Sequence, residues 1–324
     1  MIHGDLRRAV LERWLAPQLG VSFQLTPASE DASFRRYWRA TLADGRTYVA
    51  MDAPPDREDC RPFVRVAHML SAAGVHAPEI IAQELDQGFL LLSDLGSRTY
   101  LEALNDANSA ALFADATEAL LRWQLATRPG ELPPYDEALL RREMNLFPEW
   151  YVGRHLKKEL SVAQKERLES VFFLLVKSAL AQPTVYVHRD YMPRNLMVCE
   201  PNPGVLDFQD AVLGPITYDV VSLVRDAFVS WEEERVLDWV VRYWDTARSR
   251  GLPVDADFGE FWRALEWMGL QRHLKVLGIF ARINYRDGKP KYLQDTPRFI
   301  GYARSVSQRY RELAPLARLL DELE

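Results

Sequence analysis

Two cysteines, Cys60 and Cys199, occur in 324 residues, far apart and without CxxC or Cys/His ligand spacing. That pattern excludes a disulfide framework and a structural zinc site and fits a reducing compartment. Long apolar runs are also missing. The longest, Val171 to Val176, lies in a segment carrying Lys165, Arg167 and Glu169 and falls far short of the ~18 residues of a membrane span. Basic excess is absent as well: 46 acidic residues against 40 basic give a net charge of −6, which argues against a general polyanion binder. The first fifteen residues mix charges and lack an apolar signal-peptide core. The expected setting is the cytoplasm, with no nucleic acid, no membrane and no obligate protein partner. Two further gaps bear on chemistry: there is no GxGxxG loop, and no lysine precedes Lys157.

What is present is apolar content enough for a sizeable core, 48% of the chain, which rules out disorder. Residues 5–19 carry Leu6, Val10, Leu11, Trp14 and Leu15 at helical spacing. Strands are expected at 21–25, 36–42 and 47–51, the last two joined by an Asp44-Gly45 turn of hairpin type. A helix at 57–73 ends at Gly74, and two more strands follow at 79–85 and 88–93. Beyond Gly96 the pattern turns helical, with helices at 109–126, 136–155 and 161–180, the last opened by a Ser161/Gln164 capping box. Short β pieces at 184–187, 196–198 and 204–206 interrupt it, and helices resume near Ile216. The expected class is α+β: a small β-rich lobe over 1–95 and a larger helical lobe over 96–324.

The β pieces frame Val187-His188-Arg189-Asp190-Tyr191-Met192-Pro193-Arg194-Asn195-Leu196 and, beyond it, Val205-Leu206-Asp207-Phe208-Gln209-Asp210. Asp190 and Asn195 stand at the ends of a tight loop, and Asp207 closes an apolar strand. Carboxylates and an amide oxygen on one platform make a hard-oxygen site suited to Mg²⁺, which takes one or two carboxylates and completes its shell with water and phosphate.

H-R-D-x-x-x-x-N followed by D-F resembles the catalytic and metal-binding pair of the protein-kinase-like fold, with the same spacing of five from Asp190 to Asn195. Gln209 stands where protein kinases carry glycine, and the sequence is more similar to the aminoglycoside-phosphotransferase-like small-molecule kinases. Within them it resembles the anomeric sugar kinases that phosphorylate N-acetylmuramate and N-acetylglucosamine in peptidoglycan recycling. The matching stretches are Asp31-Ala-Ser-Phe-Arg-Arg-Tyr37, Met51-Asp-Ala-Pro-Pro55, Asp207-Phe-Gln-Asp-Ala211 and Arg272-His-Leu-Lys-Val-Leu-Gly-Ile-Phe-Ala-Arg282. The resemblance implies a two-lobed kinase-like fold and a requirement for ATP and Mg²⁺. It implies a base at Asp190 and Mg²⁺ ligands at Asn195 and Asp207. Asn195 also suits a loop-capping role.

Asp210 either reaches metal or substrate or fixes its loop, and Asp219 is expected to hold the catalytic loop through its backbone. The first hairpin is expected over the ATP phosphates, with Ser33 and one of Arg35 and Arg36 in contact. Met51 occupies the position where the wider family carries a phosphate-binding lysine, so Arg35 or Arg36 is expected to supply that charge. Glu58 then lacks a lysine partner and reads as a helix-face acid. Residues 89–94 are the expected hinge, Leu92 offering its backbone to adenine. Seven Lys/Arg in 271–298 against Asp287 and Asp295 form either a solvated basic face or a pocket for a sugar carboxylate, with Arg272 and Arg282 as contacts. Glu143 and Asn145 are candidate sugar contacts, and Trp150 reads as core. Two other functions keep the fold: a kinase for an aminoglycoside, choline or homoserine-type alcohol, and an inactive nucleotide-binding pseudokinase.

Overall fold

The Asp44-Gly45 turn forms as its sequence dictates. Gly45 adopts φ +86°, and Asp44 accepts the Arg46 N–H at 3.0 Å. It joins β2 (Arg36–Leu42) to β3 (Thr47–Asp52) in a five-stranded antiparallel sheet completed by β1 (Phe23–Ser29), β4 (Ile80–Glu84) and β5 (Phe89–Ser93), in the order β1-β2-β3-β5-β4. The computed structural model describes residues 2–29 and 34–323.

Alternation sorts the two faces of this sheet. Trp38 pairs with Ala50 and Ala50 with Leu91, and that row packs on Leu11 and Leu15 of helix α1 (Ile2–Leu19). The other row, Arg39, Val49 and Leu92, faces a cavity. Helix α2 (Arg61–Ala72) buries Phe63, Val66, Ala67 and Leu70. It starts four residues later than expected, because Pro54 first closes a turn by accepting the Arg57 and Glu58 N–H groups. Glu58 therefore precedes the helix and pairs with Arg35, with 3.6 Å between Nε and the carboxylate.

Packing divides the chain into two compact units: 1–123 with 194–210, and 124–193 with 211–324. The expected lobes, 1–95 and 96–324, divide it by element type instead. Helices α3 (Tyr100–Ala103) and most of α4 (Ser109–Leu125) go with the sheet. So does a hairpin of two short strands, Leu196–Met197 and Gly204–Val205. Backbone bonds hold that hairpin in the first unit: Val205 N–H to His76 O at 2.7 Å and Val198 N–H to Arg98 O at 2.9 Å.

The second unit is helical. The helix expected over 136–155 is two elements. Helix α5 (Glu137–Met144) is capped by Asp136, and a π-helical stretch, Phe147–His155, follows it with Pro148 in its first turn, where the missing N–H cannot continue the α ladder. Helix α6 (Val162–Ala181) opens with the expected capping box. Strand Thr184–Val187 pairs with a strand the sequence reading missed, Val212–Pro215. Helices α7 (Tyr218–Val224), α8 (Glu233–Ser249), α9 (Phe258–Asp287), α10 (Thr296–Arg309) and α11 (Ala314–Leu323) follow. The 30-residue α9 is buried from Leu265 to Gly278 and runs against the π-helical stretch. At Gly278 a Cβ would lie 2.3 Å from the Leu146 carbonyl carbon, so no larger residue fits there.

Candidate active site

In the first unit the hairpin brings its polar residues to a cavity of about 260 Å³ lined by Arg39, Leu92, Asp94, Arg194, Asn195 and Asp207, among others. Leu206 N–H donates to Asn195 O at 2.9 Å, closing the hairpin base. Asp207 sits just beyond it at φ +63°, a conformation uncommon outside glycine and frequent at functional sites. Its two oxygens accept from neutral amides, Asn195 Nδ2 at 3.3 Å and Gln209 Nε2 at 2.9 Å. Among the described residues no group of three or more His, Cys, Asp or Glu is placed to hold a metal ion. One carboxylate and one amide nonetheless fit Mg²⁺, whose shell is completed by water and phosphate oxygens.

The cavity's cations among the described residues are Arg39 and Arg194, which the sequence reading passed over. Arg39 spans Asp94, Nε to carboxylate at 2.6 Å and Nη2 at 3.0 Å, and reaches Gly96 O at 2.7 Å. Burial acts to raise the Asp94 carboxyl, but hydrogen bonds from Arg39, Thr47 and the Gly96 N–H outweigh it and hold it below its ordinary value. The clue was alternation: Arg39 shares the Val49 and Leu92 row, while Arg36 lies opposite Asp52.

Arg36 is accordingly spent elsewhere. It pairs with the fully buried Asp52, which also takes Arg7 at 2.5 Å. Arg35 pairs with Glu58. Neither lines the cavity, and Ser33 lies outside the described residues. Met51 is fully buried opposite Tyr37 and Leu90. Leu92 presents its side chain to the cavity, but it lies on the interior strand β5, registered against Val49 on one side and Ile80 on the other. Its backbone therefore belongs to the ladder, and the open chain that lines the cavity is 94–97.

In the second unit Asp190 is half-buried on a loop pinned by its neighbours. Asp219, fully buried at the start of α7, accepts the His188 N–H at 2.6 Å and the Arg189 N–H at 3.0 Å, the loop-holding role expected of it. Burial pushes the Asp219 carboxyl up to about 7, against those two hydrogen bonds. Arg189 stands at φ +76° and drives its guanidinium onto Glu143 at 2.5 Å.

The sugar contacts expected in this unit divide. Glu143 is 5% exposed and bound to Arg189, so it is internal framework. Arg272 is 2% exposed, internal for the same reason: 271–275 is the buried turn of α9. Asn145 caps α5 and is exposed on a separate groove with Pro148 and Lys158. Arg282 is half-buried, and burial, then Arg286, draw its guanidinium below its ordinary value. Asp210 is exposed at the end of the hairpin segment, in the first unit.

A model of the phosphotransferase enzyme family matches residues 24–254. The chain belongs to this family. Among its members, the N-acetylmuramate/N-acetylglucosamine kinase of Pseudomonas aeruginosa is 58% identical over 93% of this chain and 88% of its own length. The protein of the same name from Pseudomonas putida is 55% identical over 99% of this chain and 97% of its own. A choline/ethanolamine kinase family protein from Mesorhizobium loti matches in structure with a TM-score of 0.66, covering 99% of this chain and all of that one at 13% identity. That likeness speaks for the fold, which is protein-kinase-like. As a phosphotransferase of this family the protein is an enzyme. No helix of the described residues is long and apolar enough to cross a membrane.

Proposed function

We propose that the protein is an ATP-dependent amino-sugar kinase that phosphorylates the anomeric hydroxyl of N-acetylmuramate and N-acetylglucosamine to the 1-phosphate. The observation that carries this reading is identity of 55–58% over nearly the whole chain with kinases named for those two sugars. A choline- or ethanolamine-type acceptor is favoured only by fold likeness at 13% identity, which says nothing of substrate.

In this reading Asp190 accepts the proton of the attacking hydroxyl, help worth ~10²–10⁴-fold in rate. An anomeric hydroxyl is more acidic than other sugar hydroxyls, so orientation by Asp190 weighs as much as proton removal. Asn195 and Asp207 would hold Mg²⁺, which when bound neutralises charge on the phosphates. Asp207 accepts from the neutral amides of Asn195 and Gln209, bonds that are easily exchanged for a cation. The nucleotide belongs in the 260 Å³ cavity, with Leu92 against the base, the 94–97 segment beside it and Arg194 as a positive charge. Since ATP is the donor and no membrane helix is seen among the described residues, we place the enzyme in the cytoplasm.

The test pairs Asp190→Asn with Asp207→Asn, measuring sugar phosphorylation and nucleotide binding together. Each should lower turnover at least ~10²-fold while ADP binding without metal persists. Wild-type turnover in either variant would remove the role given to that residue, and no turnover in the wild type with nucleotide bound would return the protein to the pseudokinase reading.

A further inference from the structure

One turn of α9 carries Gln271, Arg272, His273 and Lys275, and all four are buried, at 0, 2, 2 and 7% exposure. Polar groups taken from water in this way need partners. Lys275 has two: its Nζ lies 2.9 Å from the Tyr218 hydroxyl and 3.1 Å from Glu143 Oε1. The same Oε1 receives Arg189 Nη2 at 2.5 Å. The other oxygen, Oε2, accepts the Tyr135 hydroxyl and, at 3.4 Å, Gln271 Nε2. Glu143 is thus held at both oxygens by four groups from three directions, and it cannot rotate without breaking at least two bonds.

A buried ion triad contributes little to stability over well-packed apolar residues, so filling space does not account for it. Its geometry does. Arg189 is the residue before Asp190 and adopts φ +76°, a conformation that persists only where its surroundings impose it. Asp219 holds its backbone N–H, and Glu143 holds its side chain. Burial works against the Lys275 charge, but Glu143 outweighs it and keeps the ammonium above its ordinary value.

We propose that Lys275 is a positioning residue for phosphoryl transfer: through Glu143 it fixes Arg189, and through Arg189 it sets the direction of the Asp190 side chain. This rests on the reading of Asp190 as the base. Lys275 itself is interior, its ammonium taken up by Tyr218 and Glu143. Its removal leaves Arg189 as the one remaining cation on Glu143 Oε1, with Tyr135 and Gln271 still on Oε2, so the carboxylate shifts within its site and Arg189 shifts with it.

The experiment measures kcat and the KM values for ATP and N-acetylglucosamine in Lys275→Met, Arg189→Met and the double variant, with a thermal melt on each. Lys275→Met should lower kcat about 10- to 100-fold with both KM values within about twofold, the size expected for a displaced catalytic group. The double variant should be no slower than Arg189→Met alone, because both changes break one connection. A purely structural role would instead lower the melting temperature and leave kcat per folded molecule intact, which overturns the proposal. So would multiplicative losses in the double variant, or a raised sugar KM at unchanged kcat, which marks a direct sugar contact. If Lys275→Met does not fold, Glu143→Gln, equal in shape but uncharged, replaces it; the same kcat loss supports the proposal and wild-type kcat overturns it. Asp190→Asn is assayed in parallel. Should it retain turnover, the base reading fails and takes the proposal with it; should it be inactive while Lys275→Met is not, only the positioning role fails.

Discussion

In the first unit the carboxylate at the cavity, Asp207, is held by two neutral amides, Asn195 and Gln209. In the second, the loop bearing Asp190 is held by two buried carboxylates, Asp219 beneath its backbone and Glu143 on its arginine. Neutral amides cost little to rearrange, so these two bonds give way readily to an incoming cation. Buried charges are expensive to leave unpaired, so the groups they hold stay put. The difference separates a place where a ligand must enter from one where a side chain must not move.

The largest effect that tests this contrast is on acid stability. Burial acts to raise the Glu143 carboxyl, but Lys275, then Arg189 and the Tyr135 hydrogen bond, hold it at about 2 instead of 4.5. The folded value lies below the unfolded one, so its stabilisation is whole above about pH 4.5 and is lost as pH falls toward 2. At full strength it is on the order of 3 kcal/mol. Denaturant unfolding of wild type and Glu143→Gln should therefore differ by about that much at pH 7, with the gap closing toward pH 2. A gap that stays constant with pH would mean that Glu143 is not ionised in the fold. A smaller effect sharpens the other side. Gln209→Ala should leave unfolding free energy within about 0.5 kcal/mol of wild type, while the Mg²⁺ concentration for half-maximal turnover shifts. A large stability loss there would make the first unit's carboxylate as rigidly held as the second's.

Much of this was legible before the structure. The Asp44-Gly45 hairpin and the α6 capping box are local signals, and local signals survive folding. The π-helical stretch at Pro148 disguised itself as the continuation of α5, because Tyr151 and Val152 keep helical spacing. The partners of charges were not legible. Lys275 and Glu143 are 132 residues apart, and nothing local marks the pair. A charge run on a helix reads as a solvated face, and only the packing of α9 reveals that Arg272 and Lys275 are interior. Arg39 was recoverable, since alternation along β2 and β3 places it on the Val49 face and Arg36 opposite Asp52.

The central claim is transfer to an anomeric hydroxyl, and ³¹P NMR reads it directly. The purified protein is incubated with ATP, Mg²⁺ and N-acetylglucosamine or N-acetylmuramate, and the new phosphate resonance is followed for coupling to the anomeric proton. The account predicts a sugar 1-phosphate from both sugars. A 6-phosphate would keep the kinase and contradict the position of transfer, and no sugar phosphate from either would contradict the account itself.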